Sequence, residues 1–268
     1  MNTRAVAEQF VRARLQAQAL PAFPGEVPAT LNDAYATQEC AIGLWPDRVA
    51  GWKVGRIDPP WSDRLGEDRL VGPIFAQAMR AAGSADCVEF PVIEDGFAAV
   101  EAEFVFRLLA DAPPEKTSWT AEEAEAAPCA LHVGIETAGS PLAVINDLGP
   151  LVVVCDFGNN AGLLLGPEIV GWRERPLGSL LCETFIEERS VGSGGALSLP
   201  GGPVAALAFA LRRCAARGRP LMAGQLISTG ATTGIHDIRS GDRVRVRFEG
   251  VAELRCRAVP ATRRVGMP

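Results

Sequence analysis

Apolar positions recur at helical spacing only near the two ends of the chain; between them they alternate or come in short runs. Over 4–19, Val6, Phe10 and Leu15 form one stripe with arginines and glutamines opposite, which predicts a helix. "FPGEVPAT" (23–30) breaks it. A second helix is predicted over "TLNDAYATQECAIGLW", with Thr30 as its cap and Asp33 in capping-box position. Its inner face carries Leu31, Ala34, Tyr35 and Ile42, and Pro46 ends it. A third helix, "PVAALAFALRRCAAR" (203–217), opens on Pro203 and closes before Gly218.

The middle reads as strands. The runs are "VAGWKVG" (49–55), "VGPIFAQAM" (71–79), "VEFPV" (88–92), "FAAVEAEFVFRLL" (97–109), "PCALHVGIET" (128–137), "LGPLVVVCDFG" (148–158), "NAGLLLG" (160–166) and "CETFIEERSVGSG" (182–194). Near the end, "DRVRVRF" alternates strictly, with Val244, Val246 and Phe248 on one face and Arg243, Arg245 and Arg247 on the other. "LRCRAV" returns after a turn. The arginine face reads as a solvated or subunit-facing surface. The glycines at 192–195 lack a following helix start and any Gly-Lys-Ser/Thr, so they are expected to form a turn and not a phosphate loop. Helices in front, many short strands and one late helix are not a repeating βαβ pattern. The expected class is α+β, with a mixed, largely antiparallel β core. A single domain over 1–268 is expected, with 1–46 as a small helical amino-terminal lobe.

Composition narrows the picture further. The chain has 268 residues, is 48 % hydrophobic and carries a net charge of −6. That acidity argues against nucleic acid or an anionic membrane as the main partner. Seven cysteines without a CxxC read as small hydrophobes in a reducing compartment. The charged start is not a signal peptide, and no apolar run approaches the roughly 20 residues of a membrane span. A cytoplasmic, soluble protein is expected. Short edge strands point to a homo-oligomer.

Two features break the apolar pattern. Glu101 and Glu103 share one face of a strand whose other face is Ala102, Phe104 and Phe106. Burying two like charges side by side costs several kcal/mol, a cost that a divalent cation removes. Oxygen-only ligation suits Mg2+ or Mn2+. Glu136, which ends another apolar strand, is the candidate third ligand; it is the only acid between Glu125 and Asp147. His132 shares its parity but suits a satisfied core histidine, and His236 reads as a loop residue. Lys53 is the second outlier, enclosed by glycines in an apolar run. It either snorkels outward or lies in a pocket as charge partner or proton carrier.

Taken together these segments resemble the 2-keto-4-pentenoate hydratase family, including its 4-oxalocrotonate decarboxylase branch, in the fumarylacetoacetate hydrolase superfamily. "LNDAYATQ" is similar to its amino-terminal helix, "GWKVG" to its lysine motif, "VEAEFVF" to its Glu-x-Glu strand and "IET" to its third glutamate. "DFGNNAGLLLG", "GRPLMAGQLISTG" and "SGDRVRVRF" follow in family order over most of the chain. The resemblance implies a fumarylacetoacetate hydrolase-like β-roll or sandwich with amino-terminal helices. It also implies a metal-dependent lyase of aromatic catabolism acting on a short 2-oxo acid or its dienol. Glu101, Glu103 and Glu136 would hold Mg2+ or Mn2+, and Lys53 would be catalytic. Asn160, Ser228, Thr229 and Gly230 would bind the substrate. Two departures are evident: Leu70-Val71-Gly72 stands where the family has an acid-tyrosine-glycine step, and Asn159-Asn160 replaces a serine pair. The alternatives are an acylpyruvate-type C–C hydrolase, a 4-oxalocrotonate-type decarboxylase and a non-catalytic binding relative.

Overall fold

The computed structural model describes residues 2–81 and 87–264. Six helices are α1 (Thr3–Gln16), α2 (Leu31–Leu44), α3 (Trp61–Leu65), α4 (Ala121–Ala126), α5 (Pro150–Cys155) and α6 (Gly202–Ala216). The first seven strands are β1 (Val49–Arg56), β2 (Arg69–Phe75), β3 (Met79–Ala81), β4 (Cys87–Val92), β5 (Phe97–Leu108), β6 (Cys129–Ser140) and β7 (Asn160–Glu168). Six more follow: β8 (Leu181–Ile186), β9 (Arg189–Gly195), β10 (Leu226–Ser228), β11 (His236–Asp237), β12 (Arg243–Phe248) and β13 (Ala252–Pro260). The class is α+β, as the sequence pattern implies.

Two mixed sheets carry the chain. The larger runs β2-β1-β10-β5-β6-β7-β3, with β11 added beside β5; the smaller runs β4-β13-β12-β8-β9. The β1/β10, β13/β4 and β3/β7 pairs are parallel, and the other pairs are antiparallel. Helical pairing explains the front of the chain. Thr30 caps α2 by accepting from the Asp33 amide, and Leu31, Ala34, Tyr35 and Ile42 are all buried. The alternation of β12 is equally literal, with Val244, Val246 and Phe248 buried. Its arginines pair with Glu187, Glu188, Glu253 and Glu183, so this face neutralises itself. Phe104 of β5 meets Phe248 of β12 edge to face at 5.9 Å, which joins the two sheets. All seven cysteines are free. No helix among the described residues is long and apolar enough to cross a membrane.

Four local expectations change. "LGPLVVVCDFG" holds a helix, α5, where a strand is expected: Gly149 at φ 93° and Pro150 at the first helical position start it. Leu151 to Cys155 are buried on every side, so no periodicity marks the helix. The glycines at 192–195 end β9 and do not turn. A Cβ at Gly192, Gly194 or Gly195 would lie 2.4, 2.0 or 2.2 Å from a backbone carbonyl of Thr233, Thr232 or Leu180. His236 is not in a loop but pairs with Val100 of β5. Arg14 does not face solvent with the other arginines of α1. It continues the Val6–Phe10 stripe at four-residue spacing and turns inward, its side chain 9 % exposed.

Candidate metal centre

β5 and β6, twelve residues each, set the register of the centre: Glu101 pairs with Glu136, and Glu103 with Gly134. All three glutamates therefore stand on one face of the larger sheet. They are 4 %, 0 % and 0 % exposed for Glu101, Glu103 and Glu136. One oxygen from each lies within 4.8 Å of the others. Lys53 reaches them from β1, across the short strand β10 that pairs with both β1 and β5. Its ammonium lies 3.4 Å from Glu136 Oε1 and donates to Asn159 Oδ1 at 3.1 Å.

The outer oxygens of Glu103 and Glu136 are held by the protein. Ser228 Oγ and the Gly230 amide donate to Glu103 Oε2 at 2.6 and 2.7 Å. Asn160 Nδ2 donates to Glu136 Oε1 at 2.9 Å. The inner oxygens, Oε1 of Glu101, Oε1 of Glu103 and Oε2 of Glu136, are buried without a partner. Orphaned buried acceptors of like charge are costly. A hard divalent cation satisfies all three at once, and the all-oxygen donor set suits Mg2+ or Mn2+. The residues present fit such an ion.

Electrostatics agree with that reading. Burial pushes the Glu101 carboxyl up to about 7, with the Lys53 charge pulling it back and Glu136 adding to the rise. Burial, together with Glu136 and Glu101, holds Glu103 well above the usual carboxylate range. Burial alone would depress Lys53, but the charges of Glu136, Glu101 and Glu103 outweigh it and hold its ammonium above its ordinary range. Lys53 is thus a fixed cation facing carboxylates that share protons when no metal neutralises them.

The corner before β7 brings in two more groups. Phe157, Gly158 and Asn159 all take left-handed backbone angles, with φ of 57°, 65° and 54°. Each non-glycine residue there costs roughly 1 kcal/mol or more. The turn lies flat against Gly72, where a Cβ would stand 2.1 Å from the Phe157 carbonyl oxygen. From it Asn159 turns to Lys53 and Asn160 to Glu136.

Above the carboxylates opens a cavity of about 630 Å³, with Lys53, Glu101, Asn159, Asp68, Thr229 and Gly230 on its wall. Glu103 and Glu136 lie beneath it. Asn160 and Ser228 hydrogen-bond carboxylates of the cluster, as the Gly230 amide does; Thr229 and Gly230 line the cavity. Sequence reasoning missed Asn159 as a partner of Lys53; two acids, Asp58 and Asp68, line the wall beside Leu70. Neither histidine lies on that wall. His132 sits about 13 Å from Glu136 along β6 and is bonded to Gly166 O, burial holding it below its usual range.

No family model matches the chain. Solved structures do resemble it. 4-Oxalocrotonate decarboxylase from Pseudomonas putida G7, complexed with magnesium and adipate, has a TM-score of 0.78 at 20 % identity over 96 % of this chain and 97 % of that one. The chain has the fold of 4-oxalocrotonate decarboxylase. Fumarylpyruvate hydrolase from Pseudomonas aeruginosa, in complex with Mn2+ and pyruvate, has a TM-score of 0.59 at 17 % identity, covering 81 % of this chain and 91 % of that one. 5-Carboxymethyl-2-hydroxymuconate delta-isomerase from Mycobacterium smegmatis has 0.54 at 17 %, covering 80 % and 81 %. This is the fold that the motif resemblance implies.

Proposed function

We propose that the protein is a divalent-metal-dependent lyase acting on a short 2-oxo acid or its dienol, of the 4-oxalocrotonate decarboxylase and 2-keto-4-pentenoate hydratase kind. One observation carries the reading: three buried carboxylates each keep an unpartnered oxygen at one point, below a cavity that also holds a buried lysine. The decarboxylase likeness spans 96 % of the chain. When bound, a divalent cation supplies the Lewis acidity that draws negative charge onto the substrate's 2-oxygen.

The chain's own residues do the rest. Glu101, Glu103 and Glu136 hold the ion; Ser228 and Gly230 fix the outer oxygen of Glu103, and Asn160 that of Glu136. Lys53 faces the cavity beside Glu136 and pairs with the substrate carboxylate; once a bound cation offsets the glutamates that hold its proton, it can give that proton to the carbon skeleton and take it back. Asp58 and Asp68, both on the cavity wall and ion-paired with Arg56 and Arg69 at 2.6 and 2.7 Å, are the wall acids available to exchange a proton with the substrate. Thr229 and Gly230 bound the space in which the substrate lies. At the mouth, Arg56 and Arg69 face each other across the β1–β2 register, each already paired with an acid of the wall, Asp58 or Asp68.

The C–C hydrolase alternative needs a base that activates water, and no histidine reaches the cavity. The test is a comparison of substrates with Mg2+ or Mn2+ present. CO2 release from 4-oxalocrotonate, or water addition to 2-hydroxypenta-2,4-dienoate, is the expected outcome. Pyruvate release from an acylpyruvate, with no reaction of the other two, would instead assign a hydrolase. Metal binding without turnover of any of them would make the chain a non-catalytic relative.

A further inference from the structure

Arg14 belongs to α1, more than 120 residues from the groups to which its guanidinium donates. Its Nε donates to Asp156 Oδ1 at 2.5 Å, and its Nη2 to Asp156 Oδ2 at 2.9 Å and to the Gly139 carbonyl at 2.7 Å. Nη1 donates to the Asn160 carbonyl at 3.1 Å. Asp156 is fully buried and also accepts from Ser140 Oγ at 2.6 Å. The Phe157 ring lies 5.2 Å from the guanidinium carbon.

The placement of these acceptors matters more than their number. Asp156 and Asn160 are the residues on either side of the left-handed turn 157–159. Gly139 lies three residues beyond Glu136 on β6. One guanidinium therefore grips both ends of a strained turn and ties it to the strand that carries a carboxylate ligand. From that turn come the two asparagines that meet Lys53 and Glu136. A planar fork with donors on several edges can do this; a lysine ammonium, a single point of charge, cannot span the same acceptors. Buried ion pairs add little net stability over an apolar pair of the same shape, which leaves geometry as the stronger reason for this one.

We propose that Arg14 is a positioning residue of the metal centre, holding the 157–159 turn in its left-handed form and so setting Glu136 and Lys53 for the ion. The inference rests on the metal-binding reading above.

The test measures Mn2+ affinity of metal-free protein by calorimetry, well below the melting temperature, and needs no turnover. R14K and R14Q are compared with wild type and with F10L, a core change on the same face of α1 that leaves the turn's hydrogen bonds alone. The expected result is a dissociation constant raised tenfold or more in R14K and R14Q, with F10L lowering the melting temperature but binding within twofold of wild type. N160A should weaken binding too, and adding R14K to it should weaken it little further, because both act on Glu136. Binding by a folded Arg14 variant within twofold of wild type overturns the proposal. Equal weakening by F10L, or full additivity with N160A, overturns it as well, since a general loosening of α1 would then account for the loss. Wild-type protein that binds no Mn2+ at all defeats the metal-centre reading itself, which is a different result from an intact site indifferent to Arg14.

Discussion

At the scale of single residues, the legible ones were those that broke a pattern. Glu101, Glu103, Glu136 and Lys53 stand out because charge inside an apolar strand is costly unless something compensates it. The resemblance places Asn160 and Ser228 at the substrate; their hydrogen bonds to Glu136 and Glu103 depend on cross-strand register and on the Phe157–Asn159 turn, neither of which sequence spacing records. Arg14 carried a signal of its own, a guanidinium on the Val6–Phe10 stripe. Two predictions belong here. Glu103→Gln keeps the acceptor that Ser228 and Gly230 use while removing one charge from the cluster. Metal-dependent turnover should vanish, and the melting temperature of the metal-free protein should hold or rise; full turnover in the variant would remove Glu103 from the ligand set. Lys53→Met removes a cation that sits against Glu136 at 3.4 Å. Turnover should drop about 100-fold, the usual size of a lost proton-transfer group. Mn2+ should bind as tightly as before or tighter, because a like charge beside the ion is gone; weaker binding would mean that Lys53 organises the ligands.

Elements divide differently. Helices α1, α2 and α6 and strand β12 follow from periodicity, capping and strict alternation. α5 does not, because a helix buried on all sides shows no polar face, and a run of three valines is as good a strand. The glycines of β9 are equally opaque: what excludes a side chain there is a carbonyl of Thr233, Thr232 or Leu180, each outside the strand. The same logic applies to Gly72, whose missing Cβ lets the turn at 157–159 lie on β2. Gly72→Ala places a methyl 2.1 Å from the Phe157 carbonyl, against backbone and not against a flexible side chain. The expected cost is about 2–4 kcal/mol, at the upper end for overpacking, read from denaturant unfolding. Mn2+ affinity should fall with it, because the displaced turn carries Asn159 and Asn160. An alanine variant of unchanged stability would mean that the turn and β2 move apart freely.

For the molecule as a whole, the centre couples metal, protons and stability. The Glu101 carboxyl has a pKa of about 7 in the folded, metal-free protein against an ordinary 4.5. A carboxyl raised on folding contributes stability that is fully present below its unfolded pKa and is lost as pH climbs through the folded one. The metal-free protein should therefore weaken between pH 4.5 and about 7, by up to roughly 3 kcal/mol if Glu101 acted alone. Glu103 is shifted the same way and reinforces that slope. A divalent ion binds the ionised carboxylates and must expel those protons, so its stabilising effect runs in the opposite direction, growing with pH. Mg2+ at 100 times its dissociation constant contributes about 2.7 kcal/mol, which for a chain of this size is a rise of about 5–10 °C in melting temperature. At one fixed Mg2+ concentration that rise should be large at pH 8 and much smaller at pH 5.5. Glu101→Gln, which cannot titrate, should flatten the pH dependence of the metal-free protein. A Mg2+ shift of equal size at both pH values, or a larger one in acid, would mean that the ion does not displace protons from these three carboxylates, and the centre would have to be sought elsewhere in the fold.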